Sequence, residues 1–233
     1  MALQELDNSN VGTHLGKTSS YSGEYNKELL VREPRSSNRE YLGINDDDLP
    51  FQGCDVWNGY EVSALTDNGL PINAIAKIVY SCDSKYIVES KSMKLYWNSF
   101  NMTKMGESEN DVTNNIAKQA IEDLGELLET GVSVHLYFPD AKPDEETIQD
   151  SNNFIHLELS ADDSVVYDVY KETPELLKFE ETLDGSSEFK KYKSNLLKSN
   201  CRVTSQPDWG DIFITIKGNK QPTVTSLLQY IVS

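Results

Sequence analysis

The pattern of apolar and polar residues becomes that of strands in two stretches of the first half, DVWNGYEVSAL and INAIAKIVYS, joined by TDNGLP. The Asn-Gly and Pro of that joint predict an antiparallel hairpin opening near Cys54. YIVE predicts a third strand running into SKSMKLYWNSFNMTK, where the period becomes helical. Met93, Trp97, Phe100 and Lys104 fall on one side there, with Tyr96 beside them, so Ser90 or Ser92 is placed to open a helix. A long helix is expected from Asn110 to Glu129, with Ile116, Ala120, Leu124, Leu127 and Leu128 buried and Gly131 as its stop. VSVHLYF alternates and turns His135 to the polar side. Further strands are expected at Phe154–Glu158, with His156 outward, at Ser164–Tyr170, and where Ile212, Ile214 and Ile216 share one face. TVTSLLQYIVS closes as a short helix with Val224, Leu227, Leu228 and Ile231 inward.

Between these elements, PRSSNRE (Pro34–Glu40) and NDDDLPFQG (Asn45–Gly53) read as loops. Asp46, Asp47 and Asp48 lack the ligand alternation and closing Glu of a calcium loop. The first 33 or so residues are polar, and LGKTSSY lacks the glycine spacing of a phosphate loop. ETLDGSSEFKK reads as a flexible insertion, and the acidic stretch from Pro139 as a module boundary. Two modules follow, 1–138 and 139–233, with a strand pair plus helix in each.

A formal net charge of −17 and only three cysteines narrow the classes. An acidic chain opposes direct nucleic-acid binding. Three widely spaced thiols make neither a disulfide framework nor a zinc site, and no metal is expected. No run has the length of a membrane span, and MALQELDNSN is not a signal segment, so a cytoplasmic location is expected.

Against this acidic background, Lys190, Lys191, Lys193, Lys198 and Arg202 gather around one thiol, Cys201. Positive neighbours favour the nucleophilic thiolate. Asp208, between Pro207 and Trp209, could protonate whatever that sulfur attacks. The residues alone leave open that Cys201 is a small buried hydrophobe and the lysines a solvated face; Cys54 and Cys82 have no comparable basic setting. A second cluster, Glu89, Ser90, Lys91 and Lys94, stands where the first helix begins. Its free N–H groups and lysines suit an anionic cofactor. The carboxylate suits the amide and amine edge of a guanine-like base. An ordinary amphipathic helix with a polar cap has the same spacing.

LLKSNC, followed after four residues by QPDWG, resembles the reactive segment of the 7-cyano-7-deazaguanine reductases, and ESKSMKLYWNSF resembles their signature. The likeness is to the long, two-module bacterial form and extends from LGK near the start to LLQYIVS. It implies an α+β chain of tandem tunnelling-fold modules, antiparallel sheets backed by helices. It implies that Cys201 attacks a nitrile to give a thioimide, that Asp208 donates the proton, and that NADPH reduces the adduct to 7-aminomethyl-7-deazaguanine on the route to queuosine-type modification. Val88, Glu89 and Ser90 would touch substrate, and Ser90 and Lys91 the cofactor.

The likeness also implies a homodimer. In these relatives the last helix continues into a segment supplying a His, a Glu and an Arg-Gly pair. His14, His135 and His156 sit in no matching motif, so the second module reads as incomplete. Truncation, completion by a separate chain, or recruitment of its own histidines would each account for this. Two other readings are an amidine-forming enzyme using ammonia and an inactive deazaguanine-binding subunit.

Overall fold

The structure, a computed structural model, describes residues 23–140, 151–181, 188–200 and 206–233. The LGKTSSY segment, most of the acidic stretch after Pro139 and of the ETLDGSS stretch, and Cys201 and Arg202 lie outside the described residues. The chain divides into two compact units, Met1–Pro143 and Asp144–Ser233.

In the first unit, strand β1 (Arg32–Pro34) leads into a short helix α1 (Ser36–Arg39). PRSSNRE is therefore helical in its centre rather than a loop. Arg39 explains this: it is buried, with its guanidinium donating to Asp46 Oδ1 and to the Cys82 carbonyl. A long-range anchor overrides the local turn signal of Pro, Ser and Asn. The hairpin forms as expected from β2 (Cys54–Thr66) and β3 (Pro71–Ser81), in antiparallel register. Strand β4 (Tyr86–Val88) pairs with β1 in a separate two-stranded sheet.

Helix α2 (Ser90–Ser99) ends earlier than its apolar spacing suggests. Phe100 is its C-cap, and Lys104 belongs to strand β5 (Lys104–Gly106), with Nζ donating to the Asp67 carbonyl at 2.6 Å. Helix α3 (Glu109–Leu128) opens on a reciprocal cap between Ser108 and Asp111. It closes on Glu129, which takes the left-handed conformation (φ 55°) expected of a glycine cap, so Gly131 is not the stop. Strand β6 (Val132–Tyr137) completes a sheet of order β5-β2-β3-β6, antiparallel except where short β5 joins β2.

The period-2 pattern places Val62, Ala64, Ile72, Ala76, Ile78 and Tyr80 on one buried face of this sheet. Tyr96 and Trp97 of α2, its C-cap Phe100, and the α3 stripe of Val112, Ile116, Ala120, Leu124 and Leu128 cover that face. Leu127 is only partly buried. Small residues opposite large rings let α2 approach closely: a Cβ on Gly59 would lie 3.0 Å from the Trp97 indole nitrogen.

The second unit begins with the two-residue strand β7 (Ile155–His156), which turns at once into helix α4 (Leu157–Ser160). The fully buried Leu157 drives that turn by packing with α5 (Val224–Val232) and Tyr192. Ser164–Tyr170 is irregular, not a strand. Strands β8 (Phe179–Glu181) and β11 (Lys220–Pro222) form a small antiparallel pair. The lysine-rich stretch is itself a long strand, β9 (Glu188–Asn200), antiparallel to β10 (Pro207–Gly218), with short parallel β7 on its far side. Ile212, Ile214 and Ile216 pack toward α5, as their spacing requires. Both units are thus α+β, with long antiparallel hairpins backed by helices.

Candidate functional site

In the first unit, Val88, Glu89, Ser90 and Lys91 meet at the junction of β4 and α2. Val88 is buried and ends the strand, which fixes the direction in which the chain enters the helix. Glu89 is the N-cap, a role the sequence suggested for Ser90 or Ser92. Its Oε2 accepts the Ser92 N–H at 2.7 Å. A carboxylate here also meets the positive end of the helix dipole.

The other oxygen, Glu89 Oε1, is buried and accepts no hydrogen bond. A buried carboxylate oxygen without a donor is costly, commonly by about 1–3 kcal/mol, so the atom calls for a partner such as an ordered water, an ion or a ligand. Ser90 is exposed at the first helical position, and Lys91 is half-buried beside it. The N–H groups of this first turn have no carbonyl within the helix to donate to. Phosphate oxygens fit such an end, and the residues present therefore suit an anionic cofactor. Lys94 faces outward, 3.5 Å from Glu61, as an exposed pair.

The second unit carries Asp208 near the start of β10, on an exposed rung opposite Ser199. The next rung pairs Pro207 with Asn200. Cys201 follows Asn200 directly in the sequence and lies outside the described residues. Asp208 is flanked by Trp209, which is 62% exposed and faces Lys198 across the ladder. The lysines of β9 are not all solvated: Lys198 Nζ sits 5.5 Å from the Tyr170 ring centre and Lys191 Nζ 5.5 Å from that of Phe154.

His156 does not point outward. It is half-buried, with Nε2 3.1 Å from Asn195 Oδ1 and Nδ1 3.1 Å from Glu158 Oε2. Asn195 donates in turn to Asp211 Oδ1 at 2.7 Å, at the bulge between Gly210 and Ile212. Burial pushes the Glu158 carboxyl up. The N–H groups of Glu158 and Asn195, the Ser194 hydroxyl and His156 together outweigh it, leaving the carboxyl below its ordinary range. This cluster stitches β7, β9 and β10 together. A cleft of about 540 Å³ lies beside it, lined by Glu158, Tyr167, Tyr170, Leu196, Leu228 and Val232 among others. None of Val88, Glu89, Ser90, Lys91 and Asp208 lines it. His135 is exposed on β6, 3.1 Å from Ser133 Oγ. Among the described residues no three His, Cys, Asp or Glu side chains gather as metal ligands, and no helix is long and apolar enough to cross a membrane.

Sequence reasoning missed the polar pin inside the first core. Asp123 is 6% exposed, and its Oδ2 accepts from Tyr25 Oη at 2.7 Å and Tyr96 Oη at 2.6 Å. Its signal was an acid set between the buried positions Ala120 and Leu124 of an apolar stripe.

Comparison with known proteins agrees with the motifs. Residues 21–136 match the family model described as nitrile reductase, 7-cyano-7-deazaguanine-reductase N-term. The chain is 39% identical, over 220 residues, to the NADPH-dependent 7-cyano-7-deazaguanine reductase of Colwellia psychrerythraea. That alignment covers 94% of this chain and 74% of the relative.

Proposed function

This chain belongs to the family of NADPH-dependent 7-cyano-7-deazaguanine reductases, and from that premise we propose that it reduces the nitrile of 7-cyano-7-deazaguanine to the aminomethyl product on the route to queuosine. The observation that carries the reading is Glu89 Oε1, a buried acceptor with no donor, at a helix start furnished with Ser90 and Lys91. A deazaguanine presents neighbouring amide and amine N–H groups, which would satisfy that oxygen. Val88 and Ser90 frame the same position.

The chemistry assigned to the second unit follows from its residue types. The Cys201 thiolate adds to the nitrile carbon, a C–S bond forms, and one C–N π bond opens toward nitrogen. Asp208 supplies the proton that nitrogen takes up, giving a neutral thioimide on the sulfur. An exposed acid on a rigid strand can reload from solvent after each transfer. Ser90 and Lys91 would hold NADPH, and two molecules bound in turn would supply the two hydrides that the change from nitrile to amine requires, the second proton at nitrogen coming through the reloaded acid. Once the thioimide carbon has taken the first hydride, collapse of the tetrahedral carbon would break the C–S bond and return the Cys201 thiolate, leaving an imine for the second hydride. A homodimer belongs to the same proposal.

Incubation with the nitrile, with and without NADPH, tests this by intact mass and NADPH absorbance. An adduct that forms in the parent chain, is absent in Cys201→Ser and turns over with NADPH is expected. An adduct without NADPH oxidation, or consumed only by ammonium, would favour the binding or amidine-forming readings. Glu89→Gln replaces half of the acceptor with a donor and should weaken nitrile binding at least tenfold.

A further inference from the structure

The β1–β4 ladder pairs Arg32 with Val88, so the next rung in register is Val31 with Glu89. Half of that rung is ordinary: the Glu89 N–H donates to the Val31 carbonyl at 2.9 Å. The other half cannot form directly, because the Glu89 carbonyl has already turned into the helix and accepts from the Met93 N–H at 3.0 Å. A side chain fills the gap. The Val31 N–H donates to Ser92 Oγ at 3.0 Å, and Ser92 Oγ donates to the Glu89 carbonyl at 2.7 Å. Ser92 is fully buried, so water does not compete for these bonds. The same residue's N–H holds Glu89 Oε2 at 2.7 Å.

We infer that Ser92 is the positioning residue of the substrate carboxylate: its hydroxyl completes the last rung of the β1–β4 ladder and its N–H holds one oxygen of Glu89, so that only Oε1 is offered to a ligand. Two backbone anchors and one side-chain anchor then determine where that oxygen stands. An acceptor held this way selects ligands by their N–H donors and rejects those presenting carbonyl oxygens at the same edge. Pre-organisation of this kind raises affinity because binding no longer has to order the acceptor. The inference deepens the substrate reading above and rests on it.

Two measurements test it. Amide hydrogen exchange on Ser92→Ala, without ligand, reports the scaffold: protection at residue 31, and at residue 92 where the N–H meets Oε2, should fall at least tenfold while the α3 amides are unchanged. Unchanged protection at both positions overturns the inference whatever the nitrile does. Equilibrium binding of 7-cyano-7-deazaguanine to the parent chain, Ser92→Ala, Glu89→Ala and the double variant reports the consequence. Ser92→Ala should weaken binding roughly fivefold to tenfold, about one hydrogen bond's worth, and add little once Glu89 is gone. An equal penalty in both backgrounds would mean that Ser92 acts on the fold alone, and overturns the inference. No binding by the parent chain, with the exchange result as expected, removes the substrate reading and with it the inference that this carboxylate serves a ligand.

Discussion

Replacing Asp123 by Ala tests the account of the first unit most directly. The carboxylate joins three segments: Tyr25 of the N-terminal stretch, Tyr96 of α2, and Gln119 one turn back on α3, whose Nε2 donates to Oδ1 at 3.1 Å. Tyr96 is fully buried, so its hydroxyl has no water to turn to when the acceptor is lost. An orphaned buried hydroxyl costs about 1–3 kcal/mol. The partly exposed Tyr25 loses a charge-assisted bond, and the vacated carboxylate leaves a small void. Relief of the buried charge offsets part of this, and the net loss should be about 3 kcal/mol. For a unit of this size that lowers the midpoint of thermal unfolding by roughly 6–12 °C. Asp123→Asn keeps one carbonyl oxygen facing the two phenols, so it should cost about 1 kcal/mol. Thermal and urea unfolding, followed by near-ultraviolet circular dichroism of the Tyr25–Tyr96–Phe100 cluster, measures both variants. An Asp123→Ala chain that melts within a degree of the parent would refute the claim that this carboxylate is the pin of the core.

Three further outcomes are expected. Gly59→Ala brings a methyl to 3.0 Å from the Trp97 indole nitrogen and should cost about 1–3 kcal/mol; in a Trp97→Leu background, itself less stable, the same substitution should cost much less, as a double-mutant cycle by urea titration would reveal. Asp208→Asn should leave the fold intact, since the side chain is exposed, but slow adduct formation with the nitrile roughly a hundredfold or more, measured by stopped-time mass spectrometry. Burial raises Tyr80 from its ordinary value of 10.0 to about 12. Burial first, and then the hydrogen bond to Asp123, raises Tyr25 and Tyr96 as well. The native chain thus holds these protons more tightly than the unfolded one. Their stabilisation is complete below pH 10 and drains away as pH rises from there toward 12, which urea unfolding across that window should record as a steady fall.

Local regularity made much of this molecule legible from its residues. Strand-forming residues in Val62–Thr66 and Ile72–Tyr80 flank the Asn68-Gly69 turn, a local signal, and the hairpin followed. The apolar stripe of α3 and the Ile212–Ile216 face are legible for the same reason: a period is a local property that the burial it produces does not alter. The motifs around Glu89 and Asp208 also stand in the sequence as chemistry, because residue type and spacing carry it.

What the sequence left open depends on partners distant along the chain. Pro34–Glu40 has the composition of a loop and becomes helical in its centre because Arg39 reaches Asp46 and the Cys82 carbonyl. Ser164–Tyr170 has the β-branched and aromatic content of a strand yet is irregular. His156 alternates outward on paper and is drawn inward by Asn195 and Glu158. The rung completed by Ser92 joins residues 61 positions apart. A hydrogen bond's worth is decided by which groups meet and how dry the meeting place is, and neither is written in a period of two or 3.6 residues. Residue types told which groups could do chemistry at the β4–α2 junction; tertiary structure alone decided that one oxygen of Glu89 would be spent on the helix and the other buried without a donor.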